Sequence, residues 1–462
     1  MRPIRDLLCV PRSALLLGVV LFAATGTACD DDVGPDFSDA GANADGGADT
    51  RSDATAAEGG AADVGADAAT DVSESDGAVD GVGFLPAPAG LVVLSSDRMS
   101  TSIGLAALNG TSIVKDRCLH SGSVSPRLSA ALSGDVVLPT EHQPNHEIVA
   151  IDRKNGTLTW VDPANCEVLR QMNTGAGFAS NPYDLIAAPG GKGYVPRYNL
   201  NPGNPAEGSD VLVIDTTTAQ VTGRIDLRPH VTATVPPAKA LLPFPSRGVL
   251  VGDKIYLALN HFSADYMVSG VGRLVVIDTK TDSVVETIDL TGLKNCGVVT
   301  PVFAPGGQSF VVGCSGPFSD GPAQIDSAGV AWVDVSKTPA EVNVIPSKPF
   351  GRPVSGFDVA GINGDFLATV VPGEFGMAPF DSVWTFERGG LEVNKLYEAD
   401  SSFVLALGID PWRRRLYVLD AAKSEPLVHV FAVPLSNDPP LEIASFPASP
   451  ATGLPPRQFG FY

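Results

Sequence analysis

One supersecondary pattern recurs along this 462-residue chain about every 54 residues, and that repeat limits the fold more than any other feature. Its clearest form is an apolar strand ending in Asp, a short polar turn, then a second alternating strand. Val211-Leu-Val-Ile-Asp215, TTTAQ and Val221-Thr-Gly-Arg-Ile225 make one copy; Leu274-Val-Val-Ile-Asp278, TKTDS and Val284-Val-Glu-Thr-Ile288 make the next. Weaker copies end their first strand at Asp162 and Asp334, and degenerate ones at Leu108, Glu387 and Ala432. Successive copies are therefore 54, 53, 63, 56, 53 and 45 residues apart. Self-similarity at such a period means a solenoid, a propeller or an array. Period-2 alternation with no long 3.6-residue periodicity selects the propeller. The 49 Gly and 38 Pro supply the turns that many short strands require.

A second hairpin precedes most copies. Pro-Gly-Gly turns stand at 189–191 and 305–307, and Gly252-Asp253, Asn363-Gly364, Ser133-Gly134-Asp135 and Asp410-Pro411 are read as equivalent turns. Each repeat is then a four-stranded blade, and seven copies predict an all-β, seven-bladed β-propeller over residues 83–462. The first repeat begins at Leu91-Val-Val-Leu94 without an innermost strand. The last segment, Pro455 to Tyr462, is expected to supply it and close the ring, which removes an unpaired sheet edge. The Asp ending each third strand is expected to cap its turn through an Asx hydrogen bond, a structural role. The copies VLVIDTTTAQVTGRI and LVVIDTKTDSVVETI resemble the YVTN-type propeller repeat of surface-layer and exported bacterial proteins. The resemblance implies the fold and an extracytoplasmic setting, and brings no shared catalytic residues.

The N-terminus reads as an address and a tether. Arg2, Arg5 and Arg12 precede an uncharged apolar run from Ala14 to Ala24. Eleven helical residues rise about 16 Å against roughly 30 Å of hydrocarbon, so the run is the core of an export signal rather than a span. It ends in Gly26-Thr27-Ala28-Cys29, which resembles the bacterial lipobox, with Gly26 where Leu is usual. The resemblance implies a signal peptide over 1–28 and a lipidated Cys29; the alternative is an ordinary secretory signal cut near Ala28. Residues 30–82 hold 15 Asp or Glu against Arg51 alone, with Phe37 the only aromatic, and are expected to be a disordered acidic linker. That tether carries −14 of the net −21, so residues 83–462 are only mildly acidic at −9. An acidic balance disfavours nucleic-acid partners, which demand a basic face.

In such a ring the loops between second and third strands emerge on one face together with the links between blades. Loops at 197–210, 260–273, 315–329 and 372–382 are long, whereas the first and third turns read as short, leaving the other face smooth. The candidate ligand face therefore comprises Tyr198, Asn199 and Asn201, then His261, Phe262 and Tyr266, then Phe318, Phe375 and Phe380, with Asp265, Asp320, Asp326 and Asp381 nearby. Long loops on a rigid scaffold are the usual seat of binding. Aromatics among polar residues suit protein or sugar partners. The alternative is that these aromatics pack their own loops.

Few residues fall in catalytic or metal-ligand patterns. Of six histidines, only Glu141-His142-x-x-x-His146-Glu147 has a ligand-like spacing, and it falls in a loop containing Pro144. His261 is a weak acid–base candidate. No G-x-S-x-G elbow, P-loop or C-x-x-C-H haem site occurs. No metal and no cofactor are expected. Four cysteines remain after Cys9 and Cys29, which in an exported protein points to disulfides with three connectivities open. Cys296 with Cys314, flanking one hairpin, is the favoured pair, and Cys118 with Cys166 follows by subtraction. The chain is thus read as a monomeric cell-envelope lipoprotein, membrane-attached through its lipid. Its propeller would bind a protein or glycan without catalysis. The alternatives are a lactonase-like or quinone-dependent propeller enzyme with a metal or cofactor in the channel, and a self-assembling surface-layer component.

Overall fold

Strands form wherever the alternation predicted them, and their pairing decides the rest. The computed structural model describes residues 85–462 apart from 110–111, 176, 234–238, 303–307, 319–321, 363–365, 375–376, 390–391, 403, 423–424, 436–437 and 449–451. The expected signal segment, Cys29, the expected acidic tether, Asp320, Phe375 and the turns expected at Gly306-Gly307 and Asn363-Gly364 lie outside the described residues. Seven four-stranded antiparallel sheets follow one another around a central channel, giving a seven-bladed β-propeller. In six of them the chain runs outward from the channel, as in blade 4: Pro245–Val251, Lys254–Leu259, Gly272–Asp278 and Ser283–Leu290.

Blade 1 is assembled from both ends of the domain. Leu91–Ser96, Thr101–Ala106 and Ile113–His120 are its outer three strands, and Pro456–Phe461 is its inner one. Val93 stands opposite Phe459 and Leu91 opposite Phe461. The Tyr462 amide donates to Gly90 O at 3.0 Å, extending the ladder past the strand ends. The expected closure is therefore present, and it leaves no inner edge of blade 1 unpaired.

Because neighbouring blades cover both faces of each sheet, the middle strands are buried along nearly their whole length, which is why they read as unbroken apolar runs. Every residue of Leu91–Ser96 is buried, whereas the outer strand Gln220–Asp226 is mostly exposed. Seven apolar clusters fill the seven gaps between adjacent blades. The one that seals the ring packs Leu91 and Val93 of blade 1 with Ala406, Tyr417 and Val428 of blade 7 and with Phe459 of the closing strand.

The turn caps behave as the repeat implied. Asp215 Oδ1 accepts the amides of Thr217 and Thr218 at 2.8 and 2.9 Å, and Asp278 Oδ1 accepts that of Lys280 at 2.8 Å. At the Pro189-Gly190-Gly191 turn both glycines adopt positive φ, 78° and 77°, a region that side chains with a Cβ rarely enter.

Blade 2 departs from the expected turn pattern. Its inner strand is only Val136–Val137, and its first loop, 138–147, is long, while its second turn, 153–156, is short. Ser133-Gly134-Asp135 is not a turn between the first two strands; it leads into the inner strand, held by Asp152, which accepts Ser133 N at 2.7 Å and Ser133 Oγ at 2.6 Å. Hence the face opposite the long loops is not smooth. The 138–147 loop projects there and carries Glu141, His142, His146 and Glu147.

Both disulfides form. Cys296 and Cys314 face each other on the first two strands of blade 5, with Cα atoms 3.9 Å apart. Cys118, on the outer strand of blade 1, joins Cys166 in the turn before the outer strand of blade 2, with Cα atoms 5.0 Å apart.

Candidate functional site

The loop-rich face gathers the aromatics of blades 3 to 5 into one cluster. Tyr198 stacks on Tyr183 at 4.6 Å and lies 4.9 Å from Phe244; Phe244 stacks on Tyr266 at 5.1 Å. Phe262 stacks on Phe318 at 4.8 Å, and Tyr266 meets Phe318 edge-on at 6.1 Å. Here a short extra ladder, Leu241–Leu242 with Phe262–Ser263, pins the blade 4 loop against the link that enters that blade. The sequence placed these residues on one face, and the structure brings four of them into contact. It also buries two: Tyr198 is 4% exposed and Phe262 is 0% exposed. Packing explains this, since each ring covers the next. Burial, with Tyr183 and Tyr266 alongside, pushes the Tyr198 phenol well above its ordinary range.

His261 is not available for acid–base work. It is fully buried, its Nε2 accepts the Thr232 amide at 2.9 Å, and its Nδ1 meets Val271 O at 3.0 Å. Nδ1 therefore carries the proton, and burial lowers the ring's affinity for a second. Asn199 and Asn201 hold backbone: Asn199 Nδ2 donates to Ala179 O at 2.9 Å, and Asn201 Oδ1 accepts Gly203 N at 2.9 Å. Asp381 ties blade 6 to blade 7, accepting Gly373 N at 2.7 Å and Val404 N at 2.8 Å. Phe380 is half-buried.

What the loop-rich face offers solvent is a different set. Met267 is 79% exposed, Phe318 40%, Phe357 45% and Met377 59%; they come from the blade 4 loop, the blade 5 loop, the link into blade 6 and the blade 6 loop. Three consecutive blades thus present an apolar arc. The sequence named three of these four segments, not the link that carries Phe357, and singled out only Phe318, because exposure of a loop side chain depends on which neighbours cover it.

Inside the ring the channel widens into a cavity of about 110 Å³. Its wall combines apolar side chains (Val298, Phe357, Leu407, Phe459) with Glu141, His142, Arg247 and Asp358. It runs from the upper inner strands of blades 4 and 6, at Arg247 and Asp358, down to the 138–147 loop and Trp412 at the opposite mouth. Burial raises Glu141 to about 8 and Asp358 to about 6, and it lowers Arg247. Behind the wall, Asp184 accepts Thr140 N, Thr140 Oγ1 and Gly248 N at 2.9, 2.8 and 3.1 Å. The Glu-His-x-x-x-His-Glu segment does not converge. The His142 and His146 rings stack 6.2 Å apart, His142 Nε2 meets Pro86 O at 2.8 Å, and Glu147 is clamped by Arg170. Among the described residues no three His, Cys, Asp or Glu are placed to share a metal ion.

No family model and no curated protein matches this chain. Solved structures do. A protein from Lactobacillus plantarum has a TM-score of 0.53 at 11% identity, over 81% of this chain and 99% of that one. A hypothetical selenium-binding protein from Sulfolobus tokodaii has a TM-score of 0.50 at 10% identity, over 82% and 96%. The likeness is one of fold. Among the described residues no helix is long and apolar enough to cross a membrane.

Proposed function

We propose that this chain is an exported cell-envelope lipoprotein, anchored through Cys29 and spaced from the bilayer by its acidic tether. Its propeller, of the YVTN-type repeat, would be a non-catalytic module that binds a protein of the envelope. The observation that carries the reading is the apolar arc of Met267, Phe318, Phe357 and Met377 on the loop-rich face. Met and Phe are among the side chains enriched in the cores of protein interfaces. Here the Phe318 ring already rests on Phe262 and Tyr266, so its position is set before a partner arrives. The flanks are charged, with Lys239–Asp265 and Arg352–Glu374 pairs, as the rim of a protein interface is. Two disulfides suit an oxidising, extracytoplasmic compartment.

The test is capture from the protein's own cell envelope on the immobilised chain, compared with Met267→Ser/Phe318→Ser. Both side chains are exposed, so the variant is expected to keep its circular dichroism and melting temperature. Loss of one defined protein band in the variant supports the reading. Equal capture by both, or capture of glycan alone, removes it.

A further inference from the structure

Three ionisable groups of opposite sign face the channel cavity without neutralising one another at contact range. Among the described residues, neither Arg247, Glu141 nor Asp358 belongs to an ion pair within 4.0 Å. Arg247 feels Asp184 and Asp358 only as charges across space, with Arg153 opposing them. Asp358 is held loosely, accepting Ser355 Oγ at 3.2 Å and Leu407 N at 3.3 Å. The Leu250 backbone beside Glu141 favours its ionised form, against the larger effect of burial. His142 is committed to Pro86 O and contributes mainly its ring to the wall.

We propose that this cavity binds a small zwitterion, an acid and an amine carried on a short apolar body, the chemistry of a small α-amino acid. A guanidinium and two carboxyls set across one lumen leave space for a molecule that presents an anion to Arg247 and a cation to Asp358 and Glu141. At pH 7 a plain anion meets the Asp358 carboxylate, and a plain cation meets Arg247; each is penalised where the zwitterion is not. Val298, Leu407 and Phe459 line the remainder and suit an aliphatic body. Size agrees: 110 Å³ equals the share of between three and four waters at about 30 Å³ each, room for a molecule of roughly alanine's bulk. Glu141, raised to about 8 by burial, holds its proton at neutral pH in the empty cavity. An ammonium beside it favours the ionised form, so binding releases a proton. Asp358, also raised and further pushed up by Asp381, contributes in the same sense at lower pH.

This site meets the apolar arc only at Phe357, which lines the cavity and is also partly exposed on the loop-rich face, and its test does not depend on partner binding. Titration calorimetry on the full chain at pH 7 uses glycine, L-alanine and L-proline as zwitterions, propionate as the acid alone and ethylamine as the amine alone. The expected result is one-to-one binding of at least one zwitterion, roughly ten-fold or more tighter than either single-charge analogue. The heat should vary with the ionisation enthalpy of the buffer in the sense of proton release. Arg247→Met and Asp358→Asn should each weaken it about ten-fold or more; if Arg247→Met fails to fold, Asp358→Asn decides. The proposal falls if propionate or ethylamine binds as tightly as the best zwitterion, if none of the five binds, if no proton is released, or if a folded variant binds as the wild type does.

Discussion

Asp184 and Gly248 lie 64 positions apart, yet Asp184 Oδ2 accepts the Gly248 amide at 3.1 Å while also accepting the Thr140 hydroxyl at 2.8 Å. One buried carboxylate at the head of the blade 3 inner strand thereby ties together blades 2, 3 and 4. Similar bonds recur around the channel: Ser246 Oγ to Gly297 O between blades 4 and 5, Asp358 to Leu407 N between blades 6 and 7, and Gln458 to Leu138 N between blades 1 and 2. The inner ring is thus laced by side chains as well as sealed by apolar packing.

Replacing Asp184 by Ala should orphan Thr140 N, Thr140 Oγ1 and Gly248 N together. Buried donors left unpaired cost about 1–3 kcal/mol each, with partial relief from relaxation. A loss of roughly 3 kcal/mol in urea denaturation is expected; a change within experimental error would show that the lacing is incidental.

Glu141 should make stability fall with rising pH. Its folded pKa of about 8 lies above its unfolded value of 4.5, so between those values the folded chain holds the extra proton. Stability then decreases as pH rises, by up to about 1.4 kcal/mol per pH unit. Below 4.5 the effect of this group is absent, because both states are protonated. Glu141→Gln should flatten the slope of urea midpoint against pH from 5 to 8. An unchanged slope would place the titration elsewhere.

The two disulfides should contribute unequally. Cys118–Cys166 closes a separation of 48 residues and joins two blades, whereas Cys296–Cys314 closes 18 within one. Chain-entropy arithmetic gives about 4 kcal/mol for the former and about 3 for the latter. Paired Cys→Ser variants compared by chemical denaturation test the order, and a larger loss at blade 5 would reverse it.

Ring closure should be the least dispensable contact of the chain's final segment. Phe459 is buried between blades 7 and 1, and Phe459→Ala should cost about 3–5 kcal/mol. A melting temperature close to wild type would mean that the inner strand of blade 1 contributes little.

Lipidation is checked directly. Growth with labelled fatty acid in the native host should label the wild-type chain and leave Cys29→Ser unlabelled and released from the membrane fraction. Label on the variant would move the anchor away from Cys29.

The architecture was legible because a propeller is written locally. Each blade needs only alternating strands and turn residues, so spacing counted the blades, and Leu91-Val-Val-Leu94, with no inner neighbour in sequence, announced that a distant segment must pair with it. Facing positions on one hairpin likewise exposed the Cys296–Cys314 pair. Blade 2 escaped this reading, since Val136–Val137 is too short to show alternation and its long loop sits on the face taken to be smooth.

By itself, then, the amino-acid order determined the seven sheets, their closure and the turn caps, all of which rest on contacts within a repeat or on a missing strand. Which side chains meet was decided only by the ring. Tyr198 and Phe262 became buried, and Met267 and Met377 exposed, according to what the adjacent blade laid over them. Glu141, Arg247 and Asp358 share a cavity because blades 2, 4 and 6 converge on one axis. Such a convergence leaves no local signature: residues over 200 positions apart become neighbours through curvature summed across several blades, and nothing in any one repeat encodes it.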